Sequence, residues 1–377
     1  MEALNFTGKG SEYFKIWIVN ILLTIITVGI YYPWAKVRNR RYFYANTNLA
    51  DRNFEYHATG KQLLLGFLIA VFFFVIYTFG TQIAPQFTGI FMLLFMFILP
   101  WLIWRSLMFN MRVTSFSNVH FAFKGSLKRS YAIFLGYPLV GVLLLILMGT
   151  LVSILVPALD GTRHSALNET TLAIGSIIFG LLIIFGYIYI IALVRAKSKE
   201  YIIANSYYGQ GAFSTKLEVS KFIKIYAKTF GLILIPFVIM VIGLSSLRYG
   251  GGGAEIIFIV GYLGTLVGML VIMAYVVSRE RAYIYENTLL DNKIAFKSTL
   301  GAREFAFVMF TNFLLVAFTI GLATPWAKVR VARLMLANTL VDTSVGFDEY
   351  ITQQQSSVSA IGEQIGEAFD IDIDVGF

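Results

Sequence analysis

Apolar and polar positions are not mixed along this chain: long uninterrupted apolar runs alternate with short segments dense in bases. Six runs reach the roughly 20 residues that a helix needs to cross a bilayer. They cover residues 63–83, 87–107, 131–156, 172–194, 230–247 and 256–277, and they pair into three hairpins. The links inside the hairpins hold no base in 84–86, Arg163 in the second and Arg248 in the third. The segments between hairpins are crowded with them, as in Lys36, Arg38, Arg40, Arg41 and Arg52, or Arg195, Lys197, Lys199, Lys216, Lys221 and Lys224. Because Lys and Arg gather on the cytoplasmic side of spans, the pattern predicts hairpin tips outside and connecting segments inside.

Two further apolar segments, 16–32 and 305–324, are flanked by bases at both ends: Lys9 and Lys15 against Lys36 and Arg38, and Arg303 against Lys328 and Arg330. Each carries an Asn (Asn20, Asn312), then a Gly (Gly29, Gly321), then a Pro (Pro33, Pro325). A segment that enters and leaves on one face keeps both basic flanks in the cytoplasm, and Gly followed by Pro lets the chain turn. The expectation is a pair of re-entrant or short membrane helices with both termini cytoplasmic. Eight ordinary spans with both termini outside is the alternative.

The strongest pattern is self-similarity. Thr27-Val28-Gly29-Ile30-Tyr31-Tyr32-Pro33-Trp34-Ala35-Lys36-Val37-Arg38 recurs 292 residues later as Thr319-Ile320-Gly321-Leu322-Ala323-Thr324-Pro325-Trp326-Ala327-Lys328-Val329-Arg330. A weaker echo follows each hairpin: a basic helical arm ending in Asn and Thr or Ser, as at Asn46-Thr47, Asn205-Ser206, Asn287-Thr288 and Asn338-Thr339. Aromatic patches follow at Phe54, Phe121, Phe213, Phe296 and Phe347, with Phe6 near the start. Alternation around a turn suits β-pairing, so these patches are expected to form small cytoplasmic β-segments. The predicted fold is an all-α polytopic membrane protein. Residues 1–340 form one membrane domain with outer units at about 1–56 and 296–348, one helix in each, and hairpin units at about 54–120, 121–212 and 213–295. Residues 341–377 form an acidic cytoplasmic tail.

Composition agrees with lipid as the solvent. Hydrophobic residues make up 58% of the chain, charged residues 14%, and the mean hydropathy is +0.73, against about 25% charged in ordinary globular domains. The net charge of +9 is asymmetric: residues 1–340 hold all 30 bases and 13 of 21 acids, and 341–377 hold the other eight acids. Bases placed between spans point to anionic headgroups rather than to nucleic acid. Residues 1–11 are polar and carry no secretory pattern, and there is no Cys for disulfide or thiolate chemistry.

At the repeated Thr-x-Gly-x-x-x-Pro-Trp-Ala-Lys-Val-Arg element, followed by Arg-Tyr-Phe-Tyr-Ala-Asn-Thr, the sequence resembles the bacterial YjgN-like inner-membrane proteins. The resemblance covers most of the chain, including 359–377. It implies a Gram-negative inner membrane and implies no activity, since that family is catalogued as a domain of unknown function.

Two sets of residues are candidate sites. Trp34, Lys36, Arg38, Trp326, Lys328 and Arg330 suit contact with an anionic phospholipid or other anion at headgroup level, and equally a plain membrane anchor. Asn20, Thr24, Thr27, Asn312 and Thr319 suit a polar path, and equally hydrogen bonding between helices. The six long runs contain no ionisable residue in their cores, which argues against an ion-coupled transporter. No metal set, cofactor or nucleophile–base pair is expected, so the chain does not read as an enzyme. His57, His120 and His164 lack ligand spacing, and Asp370, Asp372 and Asp374 read as a solvated or docked tail. Two functions fit: transport or a channel for a small or amphipathic solute, or a non-transporting envelope protein that binds lipid or scaffolds partners.

Overall fold

A computed structural model describes residues 1–83, 85–159, 167–248, 253–344 and 346–356. Two short strands, β1 (Glu2–Ala3) and β2 (Asn5–Phe6), open the chain, and helical pairs then alternate with β-hairpins. Helices α1 (Gly10–Ile26) and α2 (Tyr32–Ala45) lead to β3 (Thr47–Leu49) and β4 (Arg52–Tyr56). Helices α3 (Gly60–Ile83) and α4 (Thr88–Arg112) lead to β5 (Thr114–Phe116) and β6 (Val119–Phe123). The third pair starts with α5 (Leu127–Tyr131), passes through a π-helical stretch (Ala132–Gly136) into α6 (Tyr137–Leu159), and returns as α7 (Leu167–Ala204) to β7 (Ser206–Tyr208) and β8 (Gly211–Thr215). Helices α8 (Val219–Arg248) and α9 (Ala254–Glu286) lead to β9 (Thr288–Leu290) and β10 (Ile294–Ser298). Helices α10 (Ala302–Phe318) and α11 (Thr324–Ala337) lead to β11 (Thr339–Val341), and a last helix, α12, covers 347–356.

Each hairpin is set by local chemistry. Its first strand starts on Thr or Ser, whose hydroxyl donates to the carbonyl four residues back in the preceding helix: Thr47 to Phe43, Thr114 to Asn110, Ser206 to Ile202, Thr288 to Ile284 and Thr339 to Met335. The preceding Asn does the same at Asn46, Asn205, Asn287 and Asn338. These side chains take up the carbonyls left open at a helix end, so the helix stops where the strand must begin. The turns then take left-handed backbone at Ala50 and Asp51, Ser117 and Asn118, Gly209, and Asp291 and Asn292. That conformation matches the right-handed twist of paired strands.

The strands do not remain small separate segments. All eleven form one antiparallel sheet in the order β1-β11-β10-β9-β8-β7-β6-β5-β4-β3-β2. Its two ends, β1 and β2, are separated only by Leu4, whose N–H donates to the Thr339 carbonyl at 2.9 Å. Glu2 pairs with Val341 and Phe6 with Thr47, so the first seven residues of the chain close the sheet into a barrel. The all-α expectation is therefore corrected. The aromatic patches gain their partners from each other, because closure leaves no sheet edge exposed. Phe347 is not a strand residue, as its place in the pattern suggested: it lies on α12, and the N-terminal strand supplies the fifth patch. In each outer unit the apolar helix (α1, α10) is followed by the basic arm as a separate helix (α2, α11).

Six apolar helical segments are long enough to cross a bilayer: Gly60–Gly80, Thr88–Arg112, Leu127–Leu151, Ile177–Ala204, Val219–Arg248 and Ala254–Glu286. At most 11% of any of their apolar windows is buried within the protein, so their large side chains are left for lipid. The remaining pairs, α1/α2 and α10/α11, are shorter and fold back on themselves through 27–31 and 319–323. Their tips are apolar and open, Val28 at 92% and Ile320 at 93% exposure. Helix α12 covers the end of the barrel that carries the hairpin turns, with Phe347, Tyr350 and Ile351 inside the barrel core. The proposed tail pattern over 359–377 lies outside the described residues, as do His164 and Gly250–Gly252 of the third tip.

Candidate functional site

The barrel interior follows from strand alternation. Phe54, Phe121, Phe213 and Phe296 are the middle residues of β4, β6, β8 and β10, and Leu4 takes the same place between β1 and β2. The last residues of the short strands, Leu49, Phe116, Tyr208, Leu290 and Val341, form a second buried ring against them. Phe54 packs at a tilt on Phe116 with centroids 4.6 Å apart, Phe121 on Tyr208 at 5.2 Å, and Phe213 on Phe296 at 5.9 Å. Eight-stranded barrels are just wide enough for side chains to fill, so a ring of ten staves has room left over. Here that room is an apolar cavity of about 180 Å³, bounded at the turn end by Phe347 and Tyr350. Burial pushes the Tyr208 hydroxyl above the ordinary tyrosine range, with Arg52 opposing, and the hydroxyl donates to the Phe116 carbonyl at 3.1 Å.

Toward the helices a larger cavity of about 550 Å³ sits over the same phenylalanines. Its wall shares Tyr285 with the smaller cavity and adds Tyr44, Ile202, Ile203 and Ile284 and a few polar groups, Asn110, Thr114, Ser206 and Thr288. Two guanidinium groups reach this chamber's lining residues from adjoining turns of helix. Arg40 donates to Asn110 Oδ1 at 2.5 Å and to Tyr56 Oη at 2.8 Å, and lies 5.3 Å over the Tyr56 ring. Arg281 donates to Thr339 Oγ1 at 2.5 Å and lies 4.5 Å over the Tyr285 ring. An apolar chamber with a few placed polar groups is the ordinary form of a small-molecule site.

The two residue sets singled out in the sequence come together. Arg38 Nη1 donates to Asn20 Oδ1 at 3.2 Å, and Asn20 Nδ2 donates to Asn39 Oδ1 at 3.0 Å. In the second copy Arg330 Nη1 donates to Asn312 Oδ1 at 2.8 Å, Arg330 Nη2 to Thr311 Oγ1 at 3.1 Å, and Asn312 Nδ2 to the Ala327 carbonyl at 3.1 Å. Each Asn is thus occupied inside its own helical pair. The threonines serve the turns: Thr24 and Thr27 donate to the carbonyls of Asn20 and Leu23, and Thr319 to that of Leu315. Trp34 sits against Gly60 and Trp326 against Gly10, where an added Cβ would lie 2.3 Å from each indole. The tryptophans therefore lock neighbouring units together, α2 onto α3 and α11 onto α1. Lys328 is exposed and Lys36 half-buried.

Sequence reasoning passed over Leu4, Arg40, Arg281 and Tyr285. A usable signal was present: counting back nine residues from the Thr or Ser that opens each short strand gives Arg38, Arg105, Lys197, Arg279 and Arg330, a base every time. Counting back seven gives Arg40, Leu107, Lys199, Arg281 and Ala332, so the chamber's arginines occupy a matched level on different units.

Comparison with known proteins gives a family and no activity. The family model described as "Bacterial protein of unknown function (DUF898)" matches residues 1–368. A protein named "Inner membrane protein YjgN" from Salmonella typhimurium (strain LT2) is 28% identical over 361 residues, covering 90% of this chain and 88% of the relative. Proteins of the same name from Escherichia coli O157:H7 and from strain K12 are each 28% identical, covering 86% of this chain and 84% of the relative. No solved structure matches the chain.

Proposed function

This chain belongs to the bacterial DUF898 family of unknown function, and we propose that it is an inner-membrane protein that binds an amphipathic, lipid-like molecule drawn from the bilayer. The single observation that carries this reading is the barrel. Its interior is apolar, it is closed at the turn end by α12, and its larger chamber faces the membrane helices. A conduit for ions or polar solutes would need a hydrated wall, whereas rings of Phe, Leu and Tyr favour an acyl chain or another flexible apolar body. The barrel lies on the cytoplasmic side in this reading, because the base that recurs nine residues before every short strand places a cationic belt where the apolar helices meet it. The nearly unburied helices and apolar hairpin tips suit an element that stands in lipid and leaves a lateral way in.

The test is native mass spectrometry of the full chain released from detergent. Wild type is expected to retain lipid-sized adducts. Phe213→Trp with Phe296→Trp, which fills the chamber with apolar bulk, is expected to reduce retention about tenfold while circular dichroism stays unchanged. Equal retention by a folded double variant would refute a barrel site. Solute flux through liposomes, unaffected by filling the chamber, would favour transport by another route.

A further inference from the structure

Helices α8 and α9 meet in two different ways along their length. Toward the hairpin tip their backbones touch: a Cβ added at Gly243 would lie 2.4 Å from the Phe258 amide nitrogen, and one at Gly261 2.3 Å from that of Met240. Toward the barrel, side chains come between them. The Phe222 and Tyr283 rings meet edge to face with centroids 5.8 Å apart, and the Tyr226 hydroxyl donates to Glu280. A groove of about 280 Å³ opens along this end, lined by Lys221, Lys224 and Lys228 from α8 and by Tyr275, Arg279 and Glu286 from α9.

The charge in this groove is one-sided. All three lysines and Arg279 are exposed, and none of the ion pairs among the described residues includes any of them. Arg279 lies 5.7 Å over the Tyr275 ring rather than against a carboxylate. Four bases against the single acid Glu286 leave the lining at +3. Lys221, Lys224 and Lys228 are three and four residues apart, so they stand in a row on one face of α8, over about 10 Å of helix. Beyond Lys228 the same stripe turns apolar. Leu232 and Ile235, four and seven residues on, are 51% and 67% exposed, and Val271, four residues before Tyr275 on α9, is 42% exposed. Lys228 and Arg279 bound the uncharged stretches 229–247 and 256–278, so the groove lies where both helices leave the apolar region. A plain anchor needs less. The helices that enter the other two hairpins carry Lys61 alone on α3 and the adjacent Lys128 and Arg129 on α5, with no row of bases down one face.

We propose that the groove between α8 and α9 binds the headgroup of an anionic phospholipid with two phosphates, such as cardiolipin, its acyl chains lying along Leu232, Ile235 and Val271. This site is separate from the barrel and does not depend on it. Cations without carboxylate partners suit phosphate oxygens, which accept charge-assisted bonds. Basic pockets between membrane helices on the cytoplasmic side, where the proposed placement puts this groove, are an ordinary form of such lipid sites. The row of lysines sets the number of phosphates, since bases spread over two turns of helix match a pair of phosphates better than one. The apolar continuation sets the source, because a soluble polyanion gains nothing from Leu232 and Ile235.

The experiment uses the full chain in nanodiscs of phosphatidylcholine with equal fractions of cardiolipin and phosphatidylglycerol, and native mass spectrometry reads which lipid stays bound after release. Wild type is expected to retain cardiolipin in preference to both others. Lys224→Gln with Lys228→Gln is expected to lower cardiolipin retention about tenfold, in line with the loss of two bases beside anionic headgroups. Lys61→Gln with Lys128→Gln removes the same charge from other helix entries and is expected to leave retention unchanged. Should the Lys224 and Lys228 variant fail to fold, Arg279→Gln removes the base that faces the lysines and is expected to give about a fivefold fall. Unchanged retention in the folded groove variants, or an equal loss in the Lys61 and Lys128 control, would overturn the groove as a site. Equal retention of the two anionic lipids by wild type would overturn the two-phosphate headgroup. In detergent, calorimetric titration with inorganic pyrophosphate tests a soluble ligand: heat abolished by Lys224→Gln with Lys228→Gln, without cardiolipin retention in nanodiscs, would discard the lipid. Adducts that survive the groove variant belong to the barrel, so each site stands or fails without the other.

Discussion

The Tyr350 hydroxyl donates to Asp291 Oδ2 at 3.1 Å, joining the last described helix to the turn between β9 and β10. The same helix reaches three other hairpins. Gln355 Nε2 donates to the Ser117 carbonyl at 2.7 Å, the Gln210 amide donates to Gln354 Oε1 at 2.7 Å, and Arg52 Nη2 pairs with Asp348 Oδ1 at 3.0 Å. Helix α12 is therefore a stopper fastened to four of the barrel's hairpins, with Ile351 at 0% exposure as its innermost apolar anchor.

Removing that anchor is expected to loosen the stopper. Ile351→Ala leaves a cavity in the barrel core and is expected to cost about 2–5 kcal/mol, whereas Asp348→Ala, which breaks an exposed pair, is expected to cost about 0–1 kcal/mol. Because the chain has no Cys, a single Cys placed at Phe116 reports directly: a water-soluble maleimide is expected to label it in Ile351→Asp and not in the parent. Equal labelling in both would mean that α12 does not seal the barrel.

The stopper is also expected to respond to alkali. Burial first, and then the hydrogen bond to Asp291, push the Tyr350 hydroxyl well above the ordinary tyrosine range. Its folded value is raised, so its contribution is fully present below the unfolded value of about 10 and is lost as pH rises through the folded value. Release of α12 above about pH 10, followed by the same Cys label, is expected to be weaker in Tyr350→Phe. Tyr208 is raised in the same direction by burial and faces Tyr350, so a Tyr208→Phe background isolates the effect.

The Trp–Gly contacts are expected to be steeply sensitive to size. A Cβ at Gly60 would meet Trp34 at 2.3 Å, and one at Gly10 would meet Trp326 at the same distance. Overpacking of this kind costs about 1–3 kcal/mol, so Gly60→Ala and Gly10→Ala are expected to lower the detergent-unfolding midpoint, and pairing Gly60→Ala with Trp34→Phe to restore part of it. A neutral result for both alanines would show that the units do not lean on these contacts.

The tips of the short helical pairs hold β-branched residues in left-handed backbone, Val28 at φ 48° and Ile320 at φ 50°, each followed by a Gly at φ 89° or 87°. Such residues are genuine outliers there, and exposure of 92% and 93% offers no protein packing in return. In the proposed membrane placement, lipid contact supplies the compensation. Cys substituted at either site in intact cells is expected to escape membrane-impermeant reagents from the outer face; strong labelling from outside would place these tips across the membrane and support eight spans.

Much of the molecule was written locally. Six apolar runs predict six membrane-crossing helices because a helix satisfies its own backbone and needs only length and apolarity. The echo of Asn followed by Thr, with an aromatic patch some residues later, marked where helices stop and strands form, since those side chains act on carbonyls four residues away. What the sequence did not disclose was partnership. Glu2 meets Val341 and Leu4 meets Thr339 across almost the whole chain, and no spacing rule announces that two patches so far apart complete one ring. Arg38 and Asn20 were each visible as polar residues in an apolar setting, but only the antiparallel return of α2 on α1 joined them. The barrel and its stopper belong to tertiary structure for the same reason: register and closure are relations between distant residues, and a linear pattern records only what each residue does to its neighbours.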